Sequence, residues 1–152
     1  MTRSAQRFIT PLTMQALTSR SVYRSLWQST EEHRSGHISL SEIADLMVIA
    51  PATADIIAKM ACGIADDLVS SLCLSTTGEC PILIAPAMNT RMYNAPATQR
   101  NIKQLEEWGV HIVGPAEGRL ACGDVGPGRM VEPQEILAAC KEILLKKPPR
   151  RK

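Results

Sequence analysis

Leu46-Met-Val-Ile-Ala50, followed at once by Pro51, decides the fold. Five apolar residues without alternation suit a strand buried on both faces, and a proline that cannot donate to a ladder marks its end. Pro81-Ile-Leu-Ile-Ala85 repeats the signal, and Val110-His-Ile-Val113 supplies a shorter third strand. Between the first two, Ala54 to about Leu74 carries Ile56, Ile57, Met60, Ile64, Leu68 and Leu72 at helical spacing, before Gly78 breaks the chain. Pro86 to Tyr93 reads as a loop. Ala97 to Trp108 reads as a helix with Ile102 and Leu105 inward, closed by Gly109. Strand, helix, strand, helix, strand predicts an α/β fold with a doubly wound parallel sheet. Ligands of such sheets bind beyond the carboxyl ends of the strands. Pro51–Asp55, Pro86–Asn89 and the segment after the third strand should therefore converge on one crevice.

That third segment, Gly114 to Met130, holds five of the nine glycines and two of the ten prolines. It reads as a long shaped loop, a lid or binding loop with Leu120-Ala-Cys122 at its centre. Pro133 opens a last helix with Ile136, Leu137, Cys140, Ile143 and Leu144 along one face. Towards the amino end, Thr10-Pro11 has the pattern of a helix start, for a helix reaching about Leu17. Ser21 to Leu26 reads as a short extended piece and Thr30 to Gly36 as a polar loop. Ser39-Leu-Ser-Glu42 has capping-box spacing, so a helical turn is expected after His37.

The 152 residues suffice for one domain, over 1–145, with a basic tail or linker at 146–152. A net charge of +2 and 3% aromatics argue against a nucleic-acid module. No apolar run approaches the ~18 residues of a membrane span, and the first residues lack a signal-peptide pattern. Five cysteines without paired spacing read as reduced thiols in a cytoplasmic protein, with no metal site. Cys62, Cys73 and Cys140 suit buried positions, Cys80 more loosely. Cys122, inside a glycine-rich stretch, does not. His33 and His111 carry no motif context and read as surface and strand residues.

His37-Ile-Ser-Leu40, Ala50-Pro-Ala-Thr-Ala-Asp55, Gly63-Ile-Ala-Asp-Asp-Leu68, Pro86-Ala-Met-Asn-Thr-Arg-Met-Tyr93 and Arg119-Leu-Ala-Cys-Gly123 occur in this order. Together they resemble the flavin-dependent cysteine decarboxylases, from Phe8 to about Leu144. Within that family the likeness is greatest to the phosphopantothenoylcysteine decarboxylases of coenzyme A biosynthesis. The resemblance implies a Rossmann-like flavoprotein fold, FMN as cofactor, and trimers or multiples of trimers with active sites between subunits. It implies conversion of 4'-phospho-N-pantothenoylcysteine to 4'-phosphopantetheine. Loss of carbon dioxide needs an electron sink, which oxidation of the substrate thiol creates; the resulting enethiolate is then reduced. The cofactor carries that chemistry, and the protein positions and protonates.

By position, His37 resembles the family's active-site histidine, able to exchange protons near neutral pH. Asn89 resembles the asparagine that holds the substrate carboxylate without trapping it as an ion pair would. Cys122 resembles the proton donor of the reductive step, and Arg119 and Ala121 match substrate-contacting positions. An adjacent arginine favours the thiolate. Thr53, Ala54, Asp55 and Ile56 occupy a flavin-contacting segment, Ala87 another, and Thr2 and Ser4 a third, shorter match. Asp55 stands where relatives often have Asn, and Tyr93 where they often have Trp.

Relatives also carry an apolar strand, a glycine turn and a helix ahead of a Met-Thr pair. The chain is expected to lack these elements, through an internal start or a shortened gene model. Three other functions are distinguished by sequence. A peptidyl-cysteine oxidative decarboxylase would not need Cys122. A non-catalytic regulatory or inactive flavoprotein would not need His37, Asn89 and Cys122 together. A flavin prenyltransferase would carry a different lid.

Overall fold

The computed structural model of the chain describes residues 1–27, 36–76, 78, 80–119, 123 and 125–146, with the side chains of 36–39 outside that description. Ala5–Arg7 forms a single 3-10 turn, followed by α1 (Pro11–Thr18). Thr10 caps α1, its side chain accepting from Thr13 N at 3.2 Å, with Pro11 in the first turn. Next come α2 (Gly36–Ile43), β1 (Met47–Ala52), α3 (Ala54–Cys62), α4 (Leu68–Thr76) and β2 (Ile82–Pro86). The short α5 (Thr90–Tyr93) precedes α6 (Pro96–Glu107), β3 (His111–Ile112), β4 (Ala116–Arg119), β5 (Val125–Arg129) and α7 (Pro133–Lys146).

β1, β2 and β3 form a parallel sheet in that order, with Met47, Val48 and Ile49 opposite Ile82, Leu83 and Ile84. Helices connect the strands, so the expected α/β architecture is present. The centre is β2, all five of whose residues are buried. Ile84 on β2, Ile57 on α3 and Leu105 on α6 are at most 1% exposed and anchor the core. A side chain of that size contributes about 1.5–3 kcal/mol when fully buried.

The structure corrects several sequence expectations, the burial of Cys62 among them. β1 does not end at Pro51 but runs to Ala52, and it is not buried on both faces: Val48, Ala50 and Pro51 are exposed. In this sheet β1 is an edge strand, and its register shifts between Ile49 and Ala52, where a missing N–H leaves no ladder bond open. The long helix over 54–74 is two helices. Gly63, at φ +67°, ends α3, with Ile64 N donating to Lys59 O at 2.9 Å. Asp67 then starts α4, accepting from Ser70 N at 2.9 Å while Ser70 Oγ accepts from Asp67 N at 3.1 Å. That exchange is a reciprocal helix cap. Third, Pro86–Tyr93 contains α5, capped by Asn89.

Fourth, the glycine-rich stretch is no irregular loop: β4 and β5 pair antiparallel, Gly118 opposite Gly126 and Arg119 opposite Val125. Fifth, α2 begins before His37 and not after it. Ser21 to Ser25 carry no strand. The last helix forms as expected; of its apolar stripe Ile136, Cys140 and Ile143 are half-buried, while Leu137 is 54% and Leu144 43% exposed among the described residues. Cys73 and Cys80 are buried, whereas Cys62 is exposed and Cys140 half-buried. No helix of the described residues is long and apolar enough to cross a membrane.

Candidate functional site

Three chain segments meet at the carboxyl end of the sheet. Ala87 N, just past β2, donates to Ala52 O at the end of β1, 2.9 Å away. The next amide, Met88 N, donates to Gly128 O of β5 at 2.9 Å. Two consecutive amides therefore tie the β1 end, the β2 end and the ribbon together. The ribbon sits close because Gly128 has no side chain: a Cβ there would stand 2.2 Å from Met88 O. Gly126 likewise lies against Thr90, whose Cγ2 would be 2.9 Å from an added Cβ. The sequence expectation that these three segments converge agrees with those bonds.

The individual residues divide as follows. Thr53 caps α3, its Oγ1 accepting from Ile56 N at 3.5 Å. The amides of Ala54 and Asp55, in the first turn of this nine-residue helix, have no intrahelical acceptor and stand at its positive end. Thr53 and Asp55 are exposed and Ala54 half-buried, while Ile56 packs into the core. Ala87 is half-buried beside them in the bonded segment. Asn89 Oδ1 accepts from Arg91 N at 2.8 Å, which orients the amide at the mouth of the same end. A carboxylate can be met only by the amide's nitrogen half.

Arg119 ends β4 and is exposed. His37 lies in the first turn of α2, its side chain outside the described residues; Ala121 and Cys122 lie outside them altogether. Thr2 Oγ1 accepts from Ala5 N at 3.1 Å, and Ser4 stands at the start of the 3-10 turn without a side-chain cap bond. Among the described residues no hydrogen bond joins Thr2 or Ser4 to the sheet end.

One cluster was not singled out from the sequence. Lys59 Nζ lies 3.4 Å from Asp55 Oδ2, 3.0 Å from Asp66 Oδ1 and 3.4 Å from Asp67 Oδ2, with its side chain only 19% exposed. The hydrogen bond to Asp66 raises the lysine's pKa against a burial that would lower it, and the charge of Asp55 adds to the rise. For Asp67, burial pushes upward, but Ser70 and Lys59 overcome it and hold the carboxyl below its ordinary value. Asp55 and Lys59 are four apart on one helix, the single sequence signal that could have found the pair. The contacts to Asp66 and Asp67 depend on the turn at Gly63, which the sequence reading passed over.

A cavity of about 770 Å³ lies elsewhere, lined by Met60, Ile64, Leu74, Ile82, Trp108 and Val110 among others. Ile82 begins β2 and Val110 precedes β3, so this space is at the amino ends of the strands, away from the converging loops.

A family model described as Flavoprotein matches residues 1–145. The chain belongs to that flavoprotein family. Among curated relatives, the coenzyme A biosynthesis bifunctional protein CoaBC of Vibrio vulnificus is 51% identical over 97% of this flavoprotein chain and 36% of its own length. The CoaBC of Escherichia coli is 50% identical over 90% of the chain and 33% of its own length. The chain thus spans about a third of the length of the curated relatives it matches. Among solved structures, a PPC decarboxylase variant complexed with pantothenoylaminoethenethiol superposes with a TM-score of 0.86 at 32% identity, covering 95% of this chain and 81% of that one. The FMN binding protein AtHal3 superposes with a TM-score of 0.84 at 33% identity, covering 97% and 81%.

Proposed function

We propose that this flavoprotein-family chain is the FMN-dependent decarboxylating unit that converts 4'-phospho-N-pantothenoylcysteine to 4'-phosphopantetheine in coenzyme A biosynthesis. The observation that carries the reading is the pair of consecutive amide bonds, Ala87 to Ala52 and Met88 to Gly128. They join the segment Thr53–Ile56, the Asn89 loop and the ribbon whose strand β4 ends at Arg119, three positions before Cys122 in the sequence. The donor set fits the cofactor. The open amides of Ala54 and Asp55 at a helix start suit the electron-rich edge of a flavin, and Ala87 leaves room beside them. When bound, FMN would supply the oxidation of the substrate thiol that lets carbon dioxide leave, and the later reduction of the enethiolate.

The chain's own residues do the rest. The Asn89 amide holds the carboxylate by its nitrogen hydrogens, without a cation that would stabilise the ground state. α2 feeds β1 through residues 44–46. α2 packs against α4. By its resemblance in the His37-Ile-Ser-Leu40 motif, His37 is the group exchanging a proton with substrate. Arg119 anchors the substrate and stabilises the thiolate that is left when the Cys122 thiol delivers the final proton. Ala121, by its resemblance, is a further substrate-contacting residue. Thr2 and Ser4 complete the flavin contacts from the amino end, and residues 146–152 are a basic tail on a domain of 1–145.

The active unit is a cytoplasmic homotrimer or a multiple of trimers, with sites between subunits. The apolar side chains left open, Leu12 and Leu17 on α1 with Leu137 and Leu145 on α7, 54–86% exposed, support association.

The test is a flavin absorbance spectrum of chain reconstituted with FMN, with and without the cysteine conjugate. Bleaching on addition, carbon dioxide release and phosphopantetheine as product are expected. Cys122→Ser should release carbon dioxide and stop at an oxidised enethiol, whereas a normal phosphopantetheine yield from it would remove Cys122 from the mechanism. A chain that stays colourless with excess FMN would overturn the reading as a whole.

A further inference from the structure

Asp55 puts a carboxylate in the first turn of α3, the turn whose amides are offered to the cofactor. It is 75% exposed, so water alone could solvate it. Yet Lys59 reaches it from one helical turn away. Lys59 is unusual in that its own side chain is four-fifths buried and held from two further sides, by Asp66 at 3.0 Å and Asp67 at 3.4 Å. Asp67 is itself immobilised by its cap exchange with Ser70. The ammonium is therefore a fixed charge, pinned between the turn after Gly63 and the start of α3. It cannot swing away from Asp55 as a surface lysine would.

Resting on the flavin reading above, we propose that Lys59 is a positioning residue for the cofactor site. It fixes the Asp55 carboxylate and partly cancels its charge, and so sets how strongly the site prefers reduced over oxidised flavin. With Lys59 the four charged groups sum to −2; without it they sum to −3, counted from one lysine and three aspartates. Reduced flavin carries more negative charge than oxidised flavin near neutral pH. An added negative charge at the helix start therefore weakens the reduced form more.

The experiment uses the chain reconstituted with FMN. Fluorescence quenching gives the affinity for oxidised FMN, and equilibration with a redox dye gives the ratio of reduced to oxidised binding. Lys59→Gln should lower that ratio about threefold to tenfold, the size of one unit charge acting through partly solvated protein; tenfold corresponds to about 30 mV for two electrons. Lys59→Arg should keep the ratio near wild type. Adding Asp55→Asn to Lys59→Gln should restore most of it, because the uncompensated carboxylate is then gone. A Lys59→Gln chain that melts lower but keeps the ratio would reduce Lys59 to a strut between α3 and the turn after Gly63. A shift that Asp55→Asn does not reverse would likewise overturn the proposal, since the effect would then run through Asp66 or Asp67. Absence of FMN binding by the wild-type chain sinks the flavin reading first and this inference with it. Normal binding without a Lys59 effect sinks only this inference.

Discussion

Gly128→Ala tests the contact that brings the ribbon to the strand ends. The new Cβ would lie 2.2 Å from Met88 O and 3.4 Å from Thr90 N. A carbon needs about 3.5 Å from a non-bonded neighbour, so the ribbon must back away by roughly 1.3 Å. The bond from Met88 N to Gly128 O, now 2.9 Å, would stretch beyond hydrogen-bonding range. Alanine at the φ of +143° seen here adds strain of about 1–3 kcal/mol. The lost bond adds about 1 kcal/mol. The total, about 2–4 kcal/mol, lowers the docking equilibrium of the ribbon by roughly 30-fold to several hundred-fold. The core does not share the loss, because Leu83, Ile84 and Ala85 are buried by other elements.

Hydrogen exchange read residue by residue is the assay. The Met88 amide should exchange faster in the variant, while the β2 amides keep their protection. Gly123→Ala is the control: Gly123 has φ +91°, but an added Cβ meets nothing within 4 Å. It should strain the ribbon tip without releasing Met88. Equal Met88 protection in wild type and Gly128→Ala would refute the claim that this glycine seats the ribbon.

Three further outcomes follow from the same geometry. Thr90 Oγ1 is buried with no hydrogen-bond partner among the described residues; Thr90→Val, which keeps the shape, should be neutral or stabilise by up to about 2 kcal/mol in a thermal melt, and a clear loss would reveal a partner. Burial, reinforced by the charge of Asp67, pushes the Cys73 thiol up to about 12. A thiol reagent at pH 8 should therefore label exposed Cys62 in the folded chain and Cys73 only after unfolding. Between the ordinary thiol range and pH 12 the folded state holds a proton the unfolded state releases, so stability should fall as pH rises there, and Cys73→Ala should flatten that slope. Asp67 is depressed in the folded state, so its contribution is present above pH ~4 and is lost as pH falls through the folded value. Asp67→Ala should cost about 0.5–2 kcal/mol at pH 7 through loss of the α4 cap, and less at pH 2.

The amino-acid sequence by itself determined the parts whose causes lie within a few residues. The Thr10-Pro11 cap, the buried run ending at Ala85, and Ile102 and Leu105 on α6 are local patterns, and each appears in the structure. Their order was enough for a parallel α/β sheet, and the five motifs were enough for the family. Tertiary structure decided what depended on distant partners. Pro51 stays in a strand because β1 is an edge, and position in a sheet is not written in five residues. β4 and β5 form a ribbon that docks at the strand ends because Gly126 and Gly128 let its backbone press on Thr90 and Met88, some forty residues earlier. Cys62 is exposed and Lys59 is pinned because Gly63 turns the chain, bringing Asp66 and Asp67 back along α3. Glycine permits such a turn or approach without specifying its target. The target is chosen by whatever backbone the rest of the fold carries within reach.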